Sequence, residues 1–178
     1  PIKLPDGLDI TVITKREDPR DALISRGGKK LADLPKGACI GTGSLRRQTQ
    51  LLNHWPDLKI IPLRGNIDTR LKKLEREGLD GIILAAAGLR RMGWEAKIDE
   101  YIDPQVLVPR VGQGAVGIES RKYDLDVLNL IVDLDHEATH QALTAERAFL
   151  ARLEGGCQVP LGAYATLNGG VLTIRGFV

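Results

Sequence analysis

The 178 residues hold two cysteines, one methionine, three histidines and 4% aromatic residues. Cys39 and Cys157 lie far apart and form no CxxC pair, which argues against a disulfide scaffold and for a reducing cytosol. No apolar run approaches the roughly 20 residues that cross a bilayer, and no signal-like segment opens the chain. A cytoplasmic, non-membrane protein is therefore expected. Lysine and arginine number 25 against 23 acids, a net charge of +2. With so few aromatics, that is not the balance of a general nucleic-acid binder. What remains is a globular composition, 43% hydrophobic and 27% charged. The chain begins at Pro1 without Met and ends at Val178 just after a strand-like stretch. It is expected to be a piece of something longer.

Strand-like and helix-like stretches alternate. Asp9–Thr14, Ala38–Gly41, Leu58–Leu63 and Asp80–Ala87 read as strands, with Pro62 limiting where the third can pair. Leu45–Trp55, with Ser44 as N-cap, and Ile67–Glu77 read as helices. This alternation predicts βαβ units and a parallel sheet. Ala115–Glu119 reads as a strand and Leu125–Leu134 as a helix. His136–Leu153 reads as a long amphipathic helix, and Ala163–Thr166 with Val171–Arg175 as a hairpin. Lys15–Arg20 and Gly112–Gly114 are expected hinges.

Arginine outnumbers lysine 15 to 10. Arg46, Arg47, Arg64, Arg70 and Arg91 each follow a strand or open the next helix. Ligands of open α/β sheets bind beyond the carboxyl ends of strands, and guanidinium is suited to carboxylate and phosphate. A single arginine so placed is more often a solvated cation, but the set favours a polyanion site, with the acids expected elsewhere. Gly41–Arg47 (GTGSLRR) has the spacing of neither a P-loop nor a dinucleotide fingerprint.

Two further motifs need weighing. His136–His140 spells HEATH, the H-E-x-x-H pattern of zinc hydrolases. Its extended continuation fails: Leu143 stands for glycine and Glu146 for the third histidine. Glu154 is reached as a ligand only if the chain turns back. A plain helix capped by Asp135, with Ala138, Ala142, Ala145, Phe149 and Leu153 as its apolar stripe, is the preferred reading. Cys157 lies in Gly155-Gly156-Cys157-Gln158-Val159-Pro160. Glycines there allow an accessible sulfur, so a reactive or modified thiol stands beside the alternative of a small buried hydrophobe. No His-Asn or His-Asp partner can be assigned to it by spacing.

Taken together, these segments resemble the porphobilinogen deaminase (hydroxymethylbilane synthase) family. The carrying residues are Arg16–Asp21 (REDPRD), Gly41–Arg47, Leu63–Asn66 (LRGN), Ala87–Arg91 (AGLRR), Val111–Ala115 (VGQGA), Thr144–Arg147 (TAER) and Leu153–Pro160 (LEGGCQVP). The resemblance implies a transferase of tetrapyrrole and heme biosynthesis. It joins porphobilinogen units with loss of ammonia on a dipyrromethane cofactor and releases hydroxymethylbilane. It implies a thioether from that cofactor to Cys157. It also implies cofactor contacts from Ser44, Arg46, Arg47, Arg70 and Gly114, and substrate contacts from Arg64, Arg70, Arg91 and Gln113. Neither a metal site nor a nucleic-acid or membrane partner is implied, and the protein is expected to be a monomer.

The implied fold is α/β: a type II periplasmic-binding-protein-like domain with a mixed, mainly parallel sheet, plus part of a small α+β C-terminal domain. Residues 20–108 would be a complete second domain, 1–14 and 115–132 remnants of the first, and 137–178 the start of the third. The family's catalytic aspartate matches no residue here and is expected just before Pro1; Asp6, Asp9 and Asp18 do not match it. The stretch is expected to be inactive alone. A non-catalytic anion-binding module of the same fold is the alternative.

Overall fold

A computed structural model describes residues 4–153 and 159–178. Three sheets follow the chain. β1 (Leu8–Ile13) pairs antiparallel with β7 (Gly117–Arg121). Between them the chain builds a five-stranded sheet from β2 (Asp21–Ser25), β3 (Cys39–Gly41), β4 (Lys59–Ile61), β5 (Gly81–Ala85) and β6 (Glu100–Tyr101), in the order β4-β3-β5-β2-β6. β8 (Gly162–Asn168) and β9 (Val171–Phe177) form a terminal hairpin.

The central sheet is mixed, as the resemblance implies, and not the wholly parallel sheet that the alternation predicts. β3 runs parallel to β4 and β5, while β2 runs antiparallel to β5 and β6. Successive residues of a strand face opposite sides, and both sides are covered. Ala22, Ile24, Ile82 and Leu84 join Leu74 of α2 (Ile67–Arg76) and Ala86 and Leu89 of α3 (Ala86–Arg91). Leu23, Ile40 and Ile83 join Leu51 of α1 (Leu45–His54) together with Ile102 and Leu107. β4 lies at the edge and stops before Pro62, whose ring cannot donate to a ladder.

Strands β2 and β6 were not expected, and β5 is shorter than the sequence reading has it. In β2, Asp-Ala-Leu-Ile-Ser is buried on both faces and shows no alternation. The strand expected through Ala87 ends at Ala85, and the alanines open α3 instead. Alanine has the strongest helix propensity, and the turn carries Arg91 out of the sheet.

After β7 come α4 (Leu125–Ile131), largely exposed, and α5 (Glu137–Arg152), which packs on the hairpin. The cap of α5 is His136, whose ring accepts from the Thr139 N–H, not Asp135 as the sequence suggests. Asp135 instead accepts from the Ile13 N–H at 2.7 Å and bonds His140 Nδ1 at 2.9 Å, pinning α5 to β1. Leu153, expected on the apolar stripe, is exposed.

The hairpin meets the rest of the chain at Gly162. A Cβ there would lie 2.9 Å from both the Val108 and Pro109 carbonyl oxygens and 3.3 Å from Arg46 Cδ. Only a residue without a side chain permits that approach. Gly162→Ala is expected to destabilise the protein by about 1–3 kcal/mol through overpacking against backbone. Urea unfolding of both proteins checks this.

Candidate functional site at the carboxyl edge of the sheet

Strands β3, β4 and β5 end on the same edge, and the arginines singled out in the sequence follow them there. Ser44 accepts from the Arg47 N–H and caps α1, which sets Arg46 and Arg47 in its first turn. Both are buried, 5% and 8% exposed. They do not stand alone. β2 runs the other way, so its first residue, Asp21, pairs with Ala85 at the end of β5. This places a carboxylate among the arginines, against the expectation that the acids lie elsewhere.

Asp21 is fully buried. Its Oδ2 accepts from Arg46 Nη1 at 2.8 Å, and its Oδ1 from Arg47 Nε at 2.9 Å and Nη2 at 2.7 Å. Gln113 Nε2 adds a fourth bond, at 3.0 Å to Oδ1. Burial alone would raise the Asp21 carboxyl pKa, but the Arg47 and Arg46 charges outweigh it and hold it below the usual carboxylate range. Arg46 Nη1 also donates to the Val108 carbonyl, and Arg47 Nη1 to that of Ile83.

Asp21 is the carboxylate paired with Arg46 and Arg47 among the described residues. Burial pushes the Arg46 guanidinium pKa down, and the charges of Arg47 and Arg110 push it further against the pull of Asp21. The Arg70 guanidinium is likewise lowered, by burial and by the charge of Arg47. Like charges thus converge, which is how an anion site is built. Arg70 is braced by a 2.7 Å bond from Nε to the Gly65 carbonyl, and Arg64 is exposed on the loop between β4 and α2.

The two expected hinges lie side by side. Gly114, at φ +87°, accepts from the Glu17 N–H at 3.0 Å, and a Cβ there would meet the Glu17 carbonyl oxygen at 2.5 Å. Arg91 Nη2 donates to the Gly114 carbonyl at 2.9 Å, and Gln113 Nε2 to that of Pro19 at 2.7 Å. Asp18 is held by Arg20: burial raises its pKa, but hydrogen bonds from Arg20 lower it more. Arg20 also stacks over the Tyr101 ring, 4.2 Å from its centroid.

Glu146, mentioned in the sequence only as a failed zinc ligand, joins the hinges to the hairpin. It is fully buried on α5. Its carboxylate accepts from Arg16 Nη1 at 2.5 Å and Nη2 at 3.3 Å, from the Gly112 N–H at 2.7 Å and from the Ala165 N–H at 2.8 Å. Arg16 lies over Tyr164, 5.1 Å from its centroid. The histidines of HEATH are engaged locally, as cap and as partner of Asp135. Among the described residues no group of three His, Cys, Asp or Glu side chains is placed to hold a metal ion. Cys39 is half-buried on β3, while Glu154 and Cys157 lie outside the described residues.

The structure therefore brings together Arg46, Arg47, Gln113 and, electrostatically, Arg70. It joins Arg91 to Gly114 and leaves Arg64 apart. The sequence reading missed Asp21, Arg110, Arg16 and Glu146. Asp21 and Arg16 lie in the REDPRD segment and Glu146 in TAER, but the identity of a charged residue gives no sign of its being buried.

The parallel strands of this α/β unit thus end on an arginine cluster of the kind that suits an anion. Residues 1–129 match the family model described as "Porphobilinogen deaminase, dipyromethane cofactor binding domain", and residues 140–178 that of the porphobilinogen deaminase C-terminal domain. The whole chain is 51% identical to a porphobilinogen deaminase of Alkaliphilus metalliredigens, covering 56% of it. It is 54% identical to that of Desulforamulus reducens, covering 58%. The chain belongs to the porphobilinogen deaminase family and spans a little over half the length of these relatives. Among solved structures, a periplasmic binding protein of Salmonella typhimurium specific for arginine overlaps at a TM-score of 0.42, with 19% identity over 80% of this chain and 62% of that one. The holo arginine-binding protein of T. maritima overlaps at 0.38, with 15% identity over 81% and 58%.

Two outcomes follow from the buried acids. Glu146→Gln leaves the Arg16 charge without its partner and is expected to cost about 3–5 kcal/mol, lowering the melting temperature by roughly 10 °C in a calorimetric scan. Asp18 and Asp21 have lowered folded-state pKa values. Their contribution to stability is full above the unfolded value of about 3.9 and is lost as pH falls through the folded ones. Urea midpoints are expected to hold from pH 7 to 5 and to drop below about pH 4, less steeply in Asp18→Asn.

Proposed function

We propose that this chain is part of a porphobilinogen deaminase, a transferase that links porphobilinogen units head to tail with loss of ammonia and yields hydroxymethylbilane. The site fits the dipyrromethane cofactor by its chemistry: pyrroles bearing carboxylates suit a cluster in which Arg46 and Arg47 share Asp21 and Arg70 lies within reach of the Arg47 charge. When bound, the cofactor supplies the primer to which pyrroles are added. Arg46, Arg47 and Arg70 bind its carboxylates, assisted by the Ser44 turn and Gly114. Arg64, Arg91 and Gln113 serve the incoming substrate, Gln113 from the hinge and Arg91 from the end of α3 beside it. Cys157 carries the thioether.

The observation that carries this reading is the seat of Gly162 against Arg46. Gly162 follows Cys157 by five residues, at most about 18 Å of extended chain, which leaves the cysteine within reach of the arginine cluster. In this reading the middle sheet with residues 20–108 is the second domain. β1 with β7 belongs to the first (1–14 and 115–132), and α5 with the hairpin to the third (137–178).

Full-length protein containing this stretch is expected to show, by intact mass, an adduct of two pyrrole units that disappears in Cys157→Ala. An unmodified wild-type mass would instead favour the non-catalytic anion-binding module. The 178-residue polypeptide alone is expected to form no hydroxymethylbilane from porphobilinogen; turnover at the full-length rate would contradict this.

A further inference from the structure

We propose that Asp21 is a positioning residue of the anion site, turning Arg46 and Arg47 so that their remaining N–H groups face incoming carboxylates. The proposal rests on the carboxylate-binding reading above and adds a residue to it.

A guanidinium has five N–H donors in a fixed plane. Arg46 spends both Nη1 hydrogens, on Asp21 Oδ2 and the Val108 carbonyl. Arg47 spends three hydrogens, from Nε and Nη2 on Asp21 Oδ1 and from Nη1 on the Ile83 carbonyl. Arg46 Nε and Nη2 have no partner among the described residues. No described buried side-chain nitrogen or oxygen lacks one, so these two atoms lie in the 5% of the Arg46 side chain that is not sealed from solvent. Asp21 therefore grips one edge of Arg46 and leaves the other open. Gln113, which bonds both Asp21 and the Pro19 carbonyl, fixes the gripping carboxylate to the hinge.

Charge and orientation make opposite predictions here. Asp21→Asn keeps the shape and makes the site more positive by one charge. If Asp21 only offset positive charge, carboxylates would bind more tightly to the variant. If it orients, they bind more weakly, because paired recognition by arginine depends on where its plane lies.

Calorimetric titration of the 178-residue chain with porphobilinogen, and separately with citrate, separates the two. Asp21→Asn is expected to bind about tenfold more weakly than wild type at a temperature where circular dichroism shows both folded. Asp21→Glu, which keeps the charge and moves it, is expected to fall between them. A purely structural role lowers the melting temperature and leaves the affinity of the folded protein unchanged. Affinity of Asp21→Asn equal to or tighter than wild type overturns the proposal. Should Asp21→Asn not fold, Asp21→Glu decides: unchanged affinity overturns it. Wild type that binds citrate but not porphobilinogen refutes the substrate reading alone, and Asp21 is then judged on citrate. Binding of neither refutes both.

Discussion

An ionised carboxylate out of reach of water persists only where other donors replace its hydration. Asp21 meets that condition with two guanidiniums and an amide, and much of the site follows from it. The two arginines have a reason to be buried, α1 has a fixed seat against the sheet, and the Gln113 hinge is tied to the first residue of β2. The condition holds only because β2 runs against its neighbour. Had β2 been parallel to β5, Asp21 would sit at the opposite edge and the arginines would face one another without relief.

That reversal also marks the limit of what could be read from the chain. The βαβ alternation, the Ser44 cap and the placing of arginines after strands are local, periodic features, and the structure keeps them. Strand direction is not local. A five-residue strand buried on both faces has no pattern to announce it, and nothing about Asp21 as a letter distinguishes it from Asp18 three positions earlier. Glu146 was hidden in the same way. On a helical wheel it interrupts an apolar face, and only its partners on Arg16, Gly112 and Ala165 explain why. His136 was misread for a smaller reason: aspartate is the commoner cap, but Asp135 is claimed by Ile13 and His140.

The two buried acids have different work. Asp21 is shared within one unit and one hinge. Glu146 bonds a side chain and two backbone amides from three separate stretches, and α5 is thereby fixed to both hinges and to the hairpin at once. The same carboxylate that holds the hairpin also holds the strand crossing from β1, so a shift of one is felt by the other. Gly162 adds a steric contact to these polar ones, pressing β8 onto the backbone beside Arg46.

The crossing at Glu17 and Gly114 bears on the order in which the chain assembles. β1 and β7 are separated by more than a hundred positions, a costly loop to close in an unfolded chain. Once the middle sheet has formed, its two ends already lie together, with the Glu17 N–H 3.0 Å from the Gly114 carbonyl oxygen. Most of the closure entropy has then been spent on contacts of shorter range. Pairing of β1 with β7 becomes the zipping of neighbours, and docking of α5 onto both follows it. The middle unit is thus a folding template for its flanks as well as the seat of the arginines.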